Sequence, residues 1–159
     1  MKRRAACSFL ASLALPGFWP RATAHPDDVG RFAISDEEWF DLLSYEQYAI
    51  LIMGETEEPG SSPLLNEQRA GVYKCVGCEL ELFQSAWKYD SNTGWPSFWN
   101  AIPGHLELQR RGLGLLGPAE YRCARCGGHH GQVFDDGPEP TGKRYSNNGA
   151  VLIFEPAEQ

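Results

Sequence analysis

Cys75-Val-Gly-Cys78 and Cys123-Ala-Arg-Cys-Gly-Gly-His129 are the two stretches on which the fold turns. Each opens with a Cys-x-x-Cys knuckle. Two intervening residues let both thiolates converge on one ion while backbone amides of the turn point at the sulfurs. Gly77 and Gly127 suit such tight turns. Two knuckles supply four thiolates, which complete a closed tetrahedral zinc shell with no open position for chemistry. One structural Zn²⁺ held by Cys75, Cys78, Cys123 and Cys126 would staple the domain, and its binding energy would count as folding energy. The competing reading is a pair of disulfides, which an exported chain can form. A bridge inside a Cys-x-x-Cys turn is a redox motif more than a staple, so zinc is the preferred reading.

Around the knuckles the chain is a series of short β-type runs. Candidates are Val72–Cys75, Leu80–Phe83, His105–Leu108, Tyr121–Cys123, His130–Phe134 and Val151–Phe154. His105-Leu-Glu-Leu108 alternates as a half-buried strand does. Asp136-Gly-Pro138 and Thr141-Gly142 are turns. Upstream, Ser35-x-x-Glu38 is a capping box that predicts a helix through about Leu43, and Ser44-x-x-Gln47 repeats it. Tyr45, Tyr48, Ala49 and Ile52 continue at helical spacing to Gly54, a suitable C′ residue. Glu55 to Asn66 holds Pro59, Gly60, Ser61, Ser62 and Pro63 and reads as loop. The expected fold is mainly β, with two short N-terminal helices in front of a small antiparallel domain.

The chain has 159 residues, 42% hydrophobic, 22% charged and 12% aromatic, which fits one globular domain and excludes a collagen, a coiled coil or a disordered chain. The net charge of -7 argues against a nonspecific nucleic-acid or anionic-membrane binder. That charge is unevenly placed. Lys2, Arg3, Arg4 and Arg21 all fall in the first 24 residues, with no Asp or Glu beside them. A positive start, the apolar run Phe9 to Leu15 and the small-x-small Ala22-Thr-Ala24 read as a secretory signal over residues 1–24, removed before His25. Paired Arg3-Arg4 hints at the twin-arginine route. The run is far shorter than the roughly 20 residues that span a bilayer. The expected product is exported, periplasmic if bacterial, with no membrane attachment after signal removal. Residues 25–34 read as a linker and 35–156 as the domain. Cys7 leaves with the signal, so every remaining cysteine sits in a knuckle.

Three further stretches carry a resemblance. Lys88-Tyr-Asp-Ser-Asn-Thr-Gly-Trp-Pro-Ser-Phe98, Cys123-Ala-Arg-Cys-Gly-Gly-His129 with Val133-Phe-Asp-Asp-Gly-Pro138, and Thr141-Gly-Lys-Arg-Tyr145 with Asn148-Gly-Ala-Val-Leu152 resemble, in order and spacing, the signatures of the methionine-R-sulfoxide reductase B family. The resemblance runs from about Ser35 to Pro156. It implies a β-barrel-like core of two antiparallel sheets, a structural zinc, and action on the R epimer of methionine sulfoxide in oxidised proteins. It also implies a thioredoxin-like reductant if the chain is active. By position, Trp95 would wall the sulfoxide methyl, where its alternative is a plain core aromatic. His129, Arg144, Asn148 and Asp136 would form the polar pocket and its support, and the alternative for Arg144 is a surface salt bridge.

Three positions depart from the family pattern. Ser146 stands where the family has its catalytic cysteine in Arg-Tyr/Phe-Cys-x-Asn. Gln132 stands for the second histidine of His-Leu-Gly-His, and Glu58 for the arginine that often follows Thr-Glu. His130 does not replace the missing histidine, because neighbours on a strand face opposite sides. Sulfoxide reduction needs a two-electron reductant. A thiolate takes the oxygen as a reversible sulfenic acid, whereas a serine would have to become a hydroperoxide. Three functions follow: a domain that recognises oxidised methionine and is impaired or inactive in turnover, an active exported reductase for protein repair, or a structural or partner-binding zinc domain.

Overall fold

The computed structural model describes residues 29–109 and 118–158. The leader read over 1–24 lies outside them. Both capping boxes form. Ser35 accepts from the Glu38 amide and heads α1 (Asp36–Leu42), and Ser44 accepts from the Gln47 amide and heads α2 (Tyr45–Leu51). In each box the side chain at the third helical position reaches back to the cap amide, satisfying otherwise orphaned donors. Gly54, at φ +80, ends the second helix with its amide on the Ile50 carbonyl. Neither these helices nor any other among the described residues is long and apolar enough to cross a membrane.

Nine strands follow: β1 (Gly71–Cys75), β2 (Glu81–Gln84), β3 (Lys88–Tyr89), β4 (Ser97–Phe98), β5 (Leu106–Gln109), β6 (Ala119–Cys123), β7 (His129–Phe134), β8 (Arg144–Asn147) and β9 (Leu152–Pro156). They make two antiparallel sheets, β2-β1-β9 and β3-β4-β8-β7-β6-β5. The sheets stay separate among the described residues, so the barrel-like expectation resolves into two open layers. Strand β6 alternates buried and half-buried positions along its length, as a one-faced strand requires. Strands β3, β4 and β8 were not among the runs expected from the sequence.

Aromatic rings join the layers. Phe83 of β2 stacks on Phe98 of β4 with centroids 4.2 Å apart and planes 9° from parallel, and Tyr73 of β1 meets Phe98 edge-on at 4.9 Å. All three rings are fully buried. Such pairs add about 0.5–1.5 kcal/mol each beyond the area they bury. Residues 29–34, at the end of the stretch read as linker, dock on the second knuckle. Val29 is buried, its carbonyl accepts from Arg125 Nε, and the Phe32 amide donates to the Arg125 carbonyl.

Candidate functional site: a metal centre and a polar cleft

The four knuckle cysteines converge. Their Sγ atoms all lie within 4.8 Å of one another, with Cys75–Cys126 at 3.7 Å and Cys78–Cys123 at 3.5 Å. A tetrahedron of sulfurs about 2.3 Å from zinc has edges of about 3.8 Å, so the donor set fits that ion in both chemistry and size. None of the four is joined in a disulfide, which favours the metal reading over the disulfide alternative. Crowding prevents four bare thiolates from coexisting. Hydrogen bonds from the Cys123, Cys126 and Cys75 thiols hold Cys78 well below the ordinary thiol range, while Cys75, sharing its proton with the same neighbours, is held well above it. A divalent cation relieves that conflict by stabilising all four as thiolates. Cys75 ends β1 and Cys123 ends β6, so one knuckle comes from each sheet and a bound ion ties the layers together.

The second knuckle turns on Gly127, at φ +75, with its amide on the Cys123 carbonyl at 2.9 Å. In the first knuckle the left-handed position falls on Glu79, at φ 57, and not on Gly77. Gly77 serves contact instead: a Cβ there would lie 2.8 Å from Leu51 Cδ2 and 3.0 Å from Trp39 Cζ3. Both helices therefore rest on the metal turn.

On the six-stranded sheet, β7, β8 and the segment that leads into β4 frame a cleft of about 290 Å³. Trp95, His129, Gln132, Arg144, Ser146 and Asn148 all line it. Of the residues assigned to the pocket from the sequence, Asp136 alone does not. It is largely exposed and holds Arg144 from outside, with Nε and Nη2 both 2.8 Å from its carboxylate. That hydrogen-bonded guanidinium lowers the Asp136 carboxyl below the usual range. The Arg144 guanidinium also lies 4.1 Å over the Phe134 ring, so the arginine is fixed on two sides.

Register sets the rest. Gln132 and Ser146 are direct partners across β7 and β8, Ser146 pairs with Ser97 on β4, and Gln132 pairs with Glu120 on β6. The strands approach closely because residue 131 is glycine; a Cβ there would fall 2.0 Å from the Ser146 carbonyl oxygen. Tyr121 Oη donates to that carbonyl at 3.1 Å and to Asn147 Oδ1 at 3.0 Å. His129 Nδ1 lies 2.8 Å from Glu120 Oε1, which also accepts from Arg122 Nη2 at 2.7 Å. Burial raises the Glu120 carboxyl, but the hydrogen bond from His129 and the charge of Arg122 outweigh it, and the net shift is downward. His130 does not line the cleft: a register shift against β6 breaks the alternation there, so that His129 and Gln132, three positions apart, share the cleft face. His130 is fully buried, its ring nitrogens have no hydrogen-bond partner among the described residues, and burial pushes it down to about 3.

Glu57 organises the cleft and was not singled out from the sequence as a site residue. It is 5% exposed. Its two carboxylate oxygens accept from the Gly149 and Ala150 amides at 2.7 and 2.8 Å. Its own amide donates to Asn148 Oδ1 at 3.0 Å, and its carbonyl accepts from Trp95 Nε1 at 3.2 Å. Burial raises its carboxyl above the ordinary value even against the two amide donors. One residue thus ties the indole wall to the turn that follows Ser146. Asn148 completes the link by donating from Nδ2 to the His130 carbonyl at 3.0 Å, which leaves its amide engaged at both ends.

Residues 43–156 match the family described as the SelR domain. The chain belongs to this family. A peptide methionine sulfoxide reductase MsrB of Leifsonia xyli subsp. xyli is 47% identical over 132 residues, covering 81% of this chain and 94% of that protein. The protein of the same description from Agrobacterium fabrum is 44% identical over 123 residues, 77% of this chain and 91% of that protein, and one from Methanosarcina barkeri is 44% identical over 126 residues, 79% and 89%. The chain is therefore an MsrB-type methionine sulfoxide reductase domain, and the four-cysteine cluster is consistent with the structural zinc of the SelR/MsrB family.

Proposed function

We propose that this MsrB-type domain recognises oxidised methionine in exported proteins and does not reduce it. The observation that carries the reading is the hydroxyl of Ser146 in the cleft, with Trp95 lining the same cleft and Gln132 directly opposite, and no thiol among the lining residues. In this reading Ser146 occupies the position of the family's nucleophilic cysteine. The indole of Trp95, fixed by Glu57, offers a flat apolar wall to the S-methyl group. Polar groups on β7 and β8 face the sulfoxide oxygen. Reduction would require a thiolate to accept that oxygen and a second thiol, or a thioredoxin-like protein, to regenerate it. Every described cysteine belongs to the metal cluster. Gln132 has no titratable proton to pass to the departing oxygen, unlike a histidine.

The active reading has the 47% identity to an MsrB protein in its favour. Turnover separates the two, and a titration separates both from a structural zinc domain. Calorimetry of the zinc-loaded chain with a peptide bearing R-methionine sulfoxide is expected to give saturable binding, lost in Trp95→Ala. Absence of binding would leave a structural zinc domain. Export is part of the same proposal, on the strength of the leader read over residues 1–24. A mass spectrum of the secreted product beginning at His25 supports it, and an intact Met1 on cytoplasmic material opposes it.

A further inference from the structure

We propose that the cleft takes methionine sulfone, the doubly oxygenated form of the side chain, at least as well as the sulfoxide. This rests on reading the cleft as an oxidised-methionine site. The polar side chains around it divide by whether they are already engaged. Asn148 is occupied at both ends by backbone. Arg144 is clamped by Asp136 through two nitrogens. Thr93 Oγ1 lies 2.8 Å from Ser91 Oγ, and the Trp95 indole nitrogen donates to Glu57. Asn147 turns its Oδ1 toward Tyr121 in the core. The polar lining side chains with no hydrogen-bond partner among the described residues are Thr56, Gln132 and Ser146, and of these Gln132 and Ser146 stand together on β7 and β8.

Those two are direct cross-strand partners in adjacent strands. Their Cβ atoms are therefore about 5 Å apart on one face of the sheet. A hydroxyl and a carboxamide N–H are both neutral donors at every ordinary pH. Two neighbouring donors match two oxygens on one sulfur.

The chemistry of the ligand supports the match. A sulfoxide sulfur carries one oxygen and one lone pair, and a nucleophile must approach the sulfur itself. A sulfone has a second oxygen in place of the lone pair. A thiolate at position 146 would only accept hydrogen bonds and would meet that oxygen with repulsion. The Ser146 hydroxyl meets it with a proton. Both departures from the family pattern thus change the site in the same sense, from one oxygen plus a nucleophile to two oxygens. The sulfone is not reduced by thiols, so a site lacking one forfeits nothing by binding it.

The test is a calorimetric titration of the zinc-loaded full chain with three probes: the N-acetyl amides of methionine sulfone, of R-methionine sulfoxide and of methionine. The expected result is a sulfone Kd equal to that of the sulfoxide within about threefold, or tighter, with unoxidised methionine at least about tenfold weaker. Ser146→Ala is expected to weaken sulfone binding about five- to tenfold, the effect of one lost hydrogen bond, and sulfoxide binding by less than about twofold. Sulfone binding more than threefold weaker than sulfoxide binding would overturn the inference while leaving the oxidised-methionine reading intact. Equal losses for both probes in Ser146→Ala would overturn the role given to Ser146. Binding of none of the probes would overturn both, and would be recognised by the failure of the sulfoxide itself.

Discussion

Gln132 lies directly opposite Ser146 across β7 and β8. Two positions 14 apart in sequence, both read from the sequence as departures from the pattern it resembles, are one pair in space. A cross-strand pair on one face shares its environment, so in the proposed reading the two positions face one ligand rather than two independent places.

The first expectation concerns repair of this pair. Ser146→Cys supplies a group that can accept oxygen, and dithiothreitol can regenerate it. Detectable turnover of an R-sulfoxide peptide is expected. Adding Gln132→His supplies a proton donor and is expected to raise the rate by about 100-fold, at the low end for general acid catalysis. A coupled assay of both variants against the parent chain checks this. No activity in the double variant would mean that the rest of the pocket no longer supports the chemistry.

Glu57 supplies a second. Glu57→Gln replaces one acceptor oxygen by a donor facing a backbone amide, which leaves that amide without a partner. Loss of one charge-assisted hydrogen bond and weakening of the other is expected to cost about 2–3 kcal/mol of stability by denaturant titration. Sulfoxide binding should weaken as well, because Trp95 and Asn148 both hydrogen-bond to the Glu57 backbone, which the carboxylate anchors. A variant as stable as the parent would show that the two amide contacts are dispensable.

A pH dependence follows from Glu120. Its folded carboxyl lies below the ordinary value of 4.5. The unfolded chain therefore binds more protons in that window, so stability is contributed above pH 4.5 and is lost as the pH falls through the folded value. Thermal melts between pH 7 and pH 3 are expected to show this acid-side loss, reduced in Glu120→Gln. An identical acid slope in the variant would contradict it.

Metal removal should undo the stapling of the sheets. Chelation is expected to lower the melting temperature and to make four thiols reactive toward a thiol reagent, none of which reacts while zinc is bound. Cys126→Ser should behave as the chelated protein does. Unchanged melting after verified zinc loss would show that the aromatic contacts alone hold the layers.

Much of this was legible in the sequence because its signals are local. Ser35 and Ser44 announce their helices within four residues, and Cys-x-x-Cys announces its ion within four. Strands β3, β4 and β8 gave no such signal. Two are only two residues long, and Arg144-Tyr-Ser-Asn147 is too polar to read as a strand, yet it is paired on both sides. Glu57 escaped notice as a site residue because its partners are backbone amides 92 and 93 positions away, and side-chain patterns do not report them. Gly77 appeared to serve a turn and in fact clears space for Leu51. Whether two sheets close into a barrel depends on pairing at their edges, which residue spacing alone does not specify.

The most direct measurement is turnover by the unmodified, zinc-loaded chain, given an R-methionine sulfoxide peptide and excess dithiothreitol. The expected result is product no greater than in a heat-killed control. Catalytic formation of methionine, at many equivalents per chain with the metal still in place, would contradict the claim that this protein holds oxidised methionine without reducing it.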